Sequence, residues 1–283
     1  MAQRIWFITG VSSGLGRSLA EAVAARGDIA VGTLRQDAQL AAYHALVPGR
    51  TIAVKLDVND HAQVTAAVAQ VVKQFGRIDV LVNNAGYGLL GAVEEVSDAE
   101  ARAQMETNFF GALAVTRTVL PQMRRQKSGH ILQISSIAGF SATPGLGLYN
   151  ASKYALEGFS EALAKETATL GIRVTLVEPG PFRTKWAGDS IKRAATVIPD
   201  YVATPAGITI DRIQTYGAKG TQPGDPDLAA QAMIKVVDSP NPPLRLALGA
   251  LAIAGVKAKL DAMREELAAW EATGLATDAP PKK

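Results

Sequence analysis

At 283 residues, with 48% hydrophobic and 19% charged side chains, the chain can bury a full core and has the composition of an ordinary globular protein. Its formal charge of +3 is spread out, with no basic run longer than Arg124-Arg125-Gln126-Lys127, so solvated faces explain it and no nucleic-acid partner is expected. The absence of cysteine removes disulfides, thiolate catalysis and cysteine metal sites and fits a reducing, cytoplasmic setting; His44, His61 and His130 lack ligand spacing, so no metal site is expected.

The opening MAQRIWFITG holds too short an apolar run for a signal segment and leads directly into a glycine motif, which makes it the first strand. Further apolar runs rich in β-branched residues follow in IAVGTL, TIAVKL, IDVLVN, HILQIS, IRVTLVE and LRLAL. Amphipathic stretches at residues 15–26, 61–75, 101–123 and 151–170 lie between most of them. Continuous apolar strands alternating with helices predict an α/β fold: a Rossmann-like doubly wound parallel sheet of about seven strands with helices on both faces. No repeat or linker interrupts the pattern, so residues 1–283 read as one domain.

Residues 180–226 dissolve into Pro, Gly, Thr and charge over more than an ordinary connection, and read as a substrate lid. The run LALGALAIAGV at 246–256 is about half the length needed to span a bilayer, so a buried strand-to-helix segment is expected there and no transmembrane segment. Val256, Leu260, Met263, Leu267 and Trp270 then recur at steps of three and four. They form one apolar stripe on an extra C-terminal helix over about 250–272, expected to dock on the domain or on a partner subunit. Residues 273–283 read as a frayed tail.

The first strand ends in TGVSSGLG, where Gly10, Gly14 and Gly16 open a helix. Glycines there let the backbone approach a pyrophosphate, whose charge is favoured by exposed N–H groups and the positive helix end. Ser12, Ser13 and Leu15 share this loop and are expected cofactor contacts, with Ile8 a further candidate. At the end of the second strand, GTLRQD supplies Arg35 where an acid would hold an NAD ribose. An arginine can pair with a 2′-phosphate, so NADP(H) is favoured over NAD(H). The competing reading has Arg35 solvating a helix start while Asp37 contacts the ribose.

Tyr149 and Lys153, in YNASKYALEGF, stand one helical turn apart. The motifs TGVSSGLG, NNAG (83–86), NFFG (108–111), ISS ending at Ser136, YNASK (149–153) and PGPFRT (179–184), in this order, resemble the short-chain dehydrogenase/reductase family over about residues 4–250. A weaker similarity points to its hydroxysteroid and retinol dehydrogenase branch. A carbonyl that accepts hydride needs a proton donor and a polarising hydrogen bond. Tyr149 can donate that proton, and the positive charge of Lys153 is expected to pull the phenol below its ordinary pKa. The resemblance selects Ser136 over Ser135 to orient the substrate oxygen, and implies that Asn108 holds a water linking Lys153 to solvent. It also implies that Asn84, Ala85 and Gly86 line the adenine ribose, that Asp57 with Val58 receives the adenine amine, and that Pro179, Gly180 and Thr184 border the nicotinamide. Tyr149 and Lys153 count among the cofactor contacts too.

Residues 87–90, 140–148 and 181–186 form the expected pocket wall, where Phe140, Leu146, Phe182 and Trp186 suggest an apolar substrate. Arg183, Lys185 and Lys192 read as exposed lid cations. Together these features describe an NADP(H)-dependent oxidoreductase interconverting a hydrophobic ketone or aldehyde and its alcohol. The alternatives are an NADPH-binding sensor without turnover, which has no need of a tuned phenol, and a sugar-nucleotide epimerase or dehydratase, disfavoured by the compact glycine spacing. The resemblance implies a homodimer or homotetramer built on the helices around 107–127 and 151–170.

Overall fold

The computed structural model describes residues 3–188 and 190–279. The chain begins with β1 (Ile5–Ile8), α1 (Gly14–Ala25), β2 (Ile29–Leu34), α2 (Asp37–His44), β3 (Thr51–Lys55), α3 (His61–Phe75) and β4 (Val80–Asn83). A two-residue β5 (Leu89–Leu90), α4 (Asp98–Met105), a π-helical turn over Glu106–Gly111 and α5 (Ala112–Gln126) lead to β6 (Gly129–Ile134). Then come α6 (Gly147–Thr167), β7 (Ile172–Pro179), the short β8 (Lys192–Arg193), α7 (Pro205–Lys219), α8 (Pro226–Asp238), β9 (Arg245–Leu248) and α9 (Ala250–Leu275).

Seven strands form one sheet in the order β3-β2-β1-β4-β6-β7-β9, with every pair parallel. Pleating sends successive side chains to opposite faces. Trp6, Ile8 and Ala30 join Leu19, Val23, Met233 and Val237 of α1 and α8 in one apolar cluster. Phe7, Ile29 and Val31 join Val64, Val68, Val115, Val119 and Leu163 of α3, α5 and α6 in the other. Both faces are therefore covered, which explains why the strands are apolar throughout. Chain order reverses between β1 and β4, and such a switch point opens a crevice beyond the carboxyl ends of the strands.

Helix boundaries follow local chemistry. Asp60 caps α3 by accepting from the N–H groups of Ala62 and Gln63, and Gly76, at φ +75°, ends it in the left-handed conformation. Three expectations are corrected. The helix expected over 101–123 is α4 and α5 joined through the π turn, which holds Asn108. The lid is not irregular throughout, since α7 occupies Pro205–Lys219. Of the two docking surfaces expected for α9, the domain itself takes only the first turns: Ala252 is buried, whereas everything described from Leu260 onward is exposed. That helix also runs to Leu275, past the start of the expected tail, of which residues 280–283 lie outside the described residues. Among the described residues, no helix is long and apolar enough to cross a membrane.

Candidate active site

A cavity of about 1080 Å³ opens at the carboxyl edge of the sheet, along the switch point. The segments after the strands supply its lining: Gly10, Ser12, Ser13, Gly14 and Leu15 after β1, Arg35 after β2, Asp57 and Val58 after β3. Asn84, Ala85 and Gly86 come after β4, Ser136 after β6, and Pro179, Gly180 and Thr184 stand at the end of β7. Tyr149 and Lys153 of α6 complete the lining. Of the expected contacts, Gly16 and Asn108 lie just behind this wall, and Ile8 is a correction: its side chain is wholly buried in the core.

The glycine loop is built for close approach. Gly10 has φ +71°, and a Cβ there would stand 3.1 Å from the Ala85 Cα. At Gly16 a Cβ would overlap the Asn84 amide and lie 2.6 Å from the Gly10 carbonyl oxygen. The Asn84 Nδ2 donates to the carbonyls of Thr9 (2.9 Å) and Gly10 (2.8 Å), so this side chain straps the loop to β4. The loop thus presents its backbone and the start of α1 to the cavity, which suits a pyrophosphate.

Beside β2, Arg35 is exposed on the cavity wall and has no ion-pair partner among the described residues. Asp37, the competing candidate, points away: Lys55 on β3 holds its carboxylate at 2.7 Å, and it does not line the cavity. Asp57 Oδ1 accepts the Asn59 N–H at 3.0 Å. On the β7 side of the cavity, Thr184 accepts from the Trp186 N–H at 3.3 Å, and a Cβ on Gly14 would stand 3.3 Å from the Thr184 Cβ. The glycine loop and the lid therefore meet across the crevice.

Tyr149 enters in the first turn of α6 and is only 5% exposed. Burial pushes its phenol up to about 12, while the Ser136 hydroxyl facing it pulls the other way. The expected lowering of the phenol pKa by Lys153 is corrected: burial is the larger influence, and what opposes it is the Ser136 hydrogen bond rather than the charge of Lys153. Burial brings the Lys153 ammonium down to about 8, against the smaller opposing pull of Glu157. Lys153 Nζ donates to the Ile134 carbonyl at 2.7 Å and sits 5.8 Å from the Tyr149 ring centre. Ser136 is half-buried on the cavity wall, whereas Ser135 is buried and turned towards Glu157, so the pleat separates their roles.

Asn108 lies inside, 1% exposed. Its Oδ1 accepts the Tyr87 N–H at 3.1 Å, and its Nδ2 donates to the Tyr87 carbonyl (3.0 Å) and to Ser152 Oγ (3.1 Å). This side chain braces the loop after β4 against α6. A Cβ at Gly86 would lie 3.0 Å from Asn108 Oδ1 and 3.8 Å from Lys153 Nζ, which shows how tightly these three converge. Behind Lys153, Arg245 bonds Glu157 (3.1 Å) and Glu161 (2.9 Å), and the nearby Glu178, 1% exposed, is pushed up to about 7 by burial.

The substrate end is walled by Tyr87, Leu146, Phe182 and Trp186, whose ring centre lies 5.3 Å from that of Tyr149. Phe140 is a correction: it is outside the cavity, and its carbonyl accepts from the Tyr154 hydroxyl at 2.6 Å. Among the lid cations, Arg183 pairs with Asp225 at 2.9 Å and Lys192 lies 4.6 Å over the Tyr87 ring. Sequence reasoning missed Ile213 and Tyr216, which α7 contributes to the wall. Their signal was present in Thr204-Pro205 as a helix start and Lys219-Gly220 as a stop.

With this geometry in place, comparison with known proteins identifies the family. The family model for short chain dehydrogenases matches residues 4–194. The chain belongs to the short-chain dehydrogenase/reductase family of oxidoreductases. It is 41% identical over 277 residues to an oxidoreductase of Botryotinia fuckeliana, covering 97% of this chain and 99% of that one. A 3-ketodihydrosphingosine reductase of Bacteroides thetaiotaomicron is 37% identical, with 89% and 90% covered. Retinol dehydrogenase 8 of Bos taurus is 36% identical, with 86% and 81% covered, in keeping with the weaker resemblance. A crystal structure of a short-chain dehydrogenase from Streptomyces avermitilis superposes with a TM-score of 0.91 at 41% identity, covering 98% of this chain and all of that one. At 25% identity, a family member from Burkholderia phymatum is in complex with NAD (TM-score 0.78; 99% and 98% covered), and ElxO has NADP bound (TM-score 0.73; 89% and 100% covered). A nicotinamide cofactor suits the cradle described above.

Proposed function

We propose that this protein is an NADP(H)-dependent reductase and dehydrogenase that interconverts a hydrophobic ketone or aldehyde and its alcohol. One observation carries the reading: a single cavity runs from Arg35, which has no ion-pair partner among the described residues, past the glycine cradle, to Ser136, Tyr149 and Lys153 beneath an apolar wall. The loop of Gly10, Gly14 and Gly16 would hold the pyrophosphate, Arg35 the 2′-phosphate, Asp57 and Val58 the adenine, and Thr184 with Pro179 and Gly180 the nicotinamide. The nicotinamide supplies the hydride equivalent and, when oxidised, a positive charge beside the phenol.

The protein's own residues do the rest. A phenol pushed up to about 12 is protonated at neutral pH, the form needed to donate to a developing alkoxide. Ser136, facing the phenol, orients the substrate oxygen with a second hydrogen bond. Lys153, anchored on the Ile134 carbonyl and 5.8 Å from the ring centre, stands near enough to resupply the proton. Asn108 fixes the loop over Lys153 and is assigned the relay to solvent. Tyr87, Leu146, Phe182 and Trp186 exclude water and favour an apolar carbonyl compound. The reductase and retinol dehydrogenase among the relatives agree with this class by name. Absence of cysteine fits action in the reducing cytoplasm.

The test is NADPH oxidation against ketones and aldehydes of increasing apolar size, with NADH in parallel. Turnover that rises with apolar size and prefers NADPH supports the proposal. Tight NADPH binding with no turnover across the series would favour a sensor.

A further inference from the structure

Helix α9 leaves the body after its first turns. Ala252 is buried and a Cβ on Gly255 would lie 3.3 Å from Ile137, so the start of the helix is seated. From Leu260 to Leu275 every residue is exposed, over about 24 Å of helix at 1.5 Å per residue. In proteins most helical stability comes from packing of an apolar face rather than from propensity. Most of its large apolar residues fall on one stripe, with Leu251 and Leu275 off it. Ile253, Val256, Leu260, Met263, Leu267 and Trp270, followed by Gly274, alternate steps of three and four, the seam of a coiled coil. Leu260, Met263, Leu267 and Trp270 are 46–71% exposed.

We propose that this seam is an interface with α9 of a second copy of the chain, packed antiparallel. The flanking charges select that direction. A parallel pair would set Lys259 against Arg264 and Glu266 against Glu271, like charges on both sides. Antiparallel packing brings Lys257 beside Glu271 of the second copy, twice by symmetry. The seated first turns fix the register, because the partner helix must stop near Gly255. The twofold axis then crosses near Glu265, opposing Leu260 to Trp270 and Met263 to Leu267, while Gly274 leaves room beside Val256. Arg264 and Glu266 meet their own counterparts near the axis, which sets a pairing of moderate strength. Asp261 offsets part of this, at 3.5 Å from Arg264. A lipid surface fits less well. From Leu260 to Leu275 the helix carries one base, Arg264, against four acids, Asp261, Glu265, Glu266 and Glu271, whereas helices that lie on anionic membranes are basic.

Light scattering after gel filtration of the full chain tests this. Leu260→Glu with Leu267→Glu should halve the particle mass while leaving the unfolding midpoint of the body unchanged; an unchanged mass overturns the proposal. The direction is read by cross-linking, since the chain has no cysteine. After subunit exchange and mild oxidation, Leu260→Cys and Trp270→Cys should form a disulfide with each other. Neither should form one with its own copy, because those positions stand about 15 Å apart along the helices, beyond disulfide reach. Self-cross-linking of Trp270→Cys, or no cross-linking at all, refutes the antiparallel pair. A monomeric wild type that sediments with vesicles of anionic phospholipid overturns it in favour of a membrane.

Discussion

Replacing Gly16 by alanine separates two effects that a helical glycine usually mixes. In an unobstructed helix, alanine stabilises by roughly 0.5–1 kcal/mol. Gly158 on α6 is such a site: it is exposed, and a Cβ there meets nothing within 4 Å. At Gly16 the added methyl would overlap Asn84 Nδ2 and stand 2.6 Å from the Gly10 carbonyl oxygen, which belongs to the backbone and cannot rotate away. Moving Asn84 aside loses its bonds to Thr9 and Gly10, about 1 kcal/mol each. Forcing the backbone apart adds about 1–3 kcal/mol. Net of the helix gain, Gly16→Ala should destabilise by about 2–4 kcal/mol and weaken NADPH binding, while Gly158→Ala should stabilise slightly. Urea unfolding midpoints and fluorescence titration with NADPH measure both. If Gly16→Ala is as stable as Gly158→Ala and binds NADPH normally, the cradle is misread.

Arg35→Ser should raise the Kd for NADPH about ten- to a hundredfold, the worth of a charge-assisted bond, and leave NADH binding unchanged; equal losses for both cofactors would remove Arg35 from the 2′-phosphate. Trp186→Ala should raise KM for apolar carbonyl compounds about tenfold with NADPH affinity preserved, because it strips the wall beside Tyr149. An unchanged KM would place the substrate elsewhere. Burial holds the His130 imidazole down at about 4, with Nε2 3.0 Å from Thr175 Oγ1. The unfolded chain therefore takes up this proton first as pH falls. The stability in question is full above about 6.5 and is lost towards 4, by at most about 3 kcal/mol. His130→Gln should lose less stability than wild type between pH 7.5 and 4.5 in urea unfolding, and an equal loss refutes the assignment.

The sheet was legible because each strand is apolar on both faces, and the site because its glycines, Ser136, Tyr149 and Lys153 follow strands or open helices in the chain itself. What escaped depended on tertiary context. The lid hid α7 because its start and stop residues, Thr204-Pro205 and Lys219-Gly220, resemble loop composition. The direction of the Tyr149 shift escaped because charge is visible in a sequence and desolvation is not. Phe140 lies outside the cavity because the turn after Ser136 carries it towards Tyr154. Asn84 lines the cavity as expected, but that its amide also straps the glycine loop through the Thr9 and Gly10 carbonyls is a tertiary contact that the sequence does not display. Stripe periodicity revealed the apolar face of α9 but not that the face would stand clear of the body.

The central claim is that the Tyr149 hydroxyl transfers the proton. The direct measurement is steady-state NADPH oxidation by Tyr149→Phe beside wild type, on the best carbonyl substrate, with NADPH affinity determined independently. The account predicts unchanged affinity and turnover lowered by about 10²–10⁴-fold, the usual contribution of a positioned acid. Undiminished turnover in the variant would contradict it.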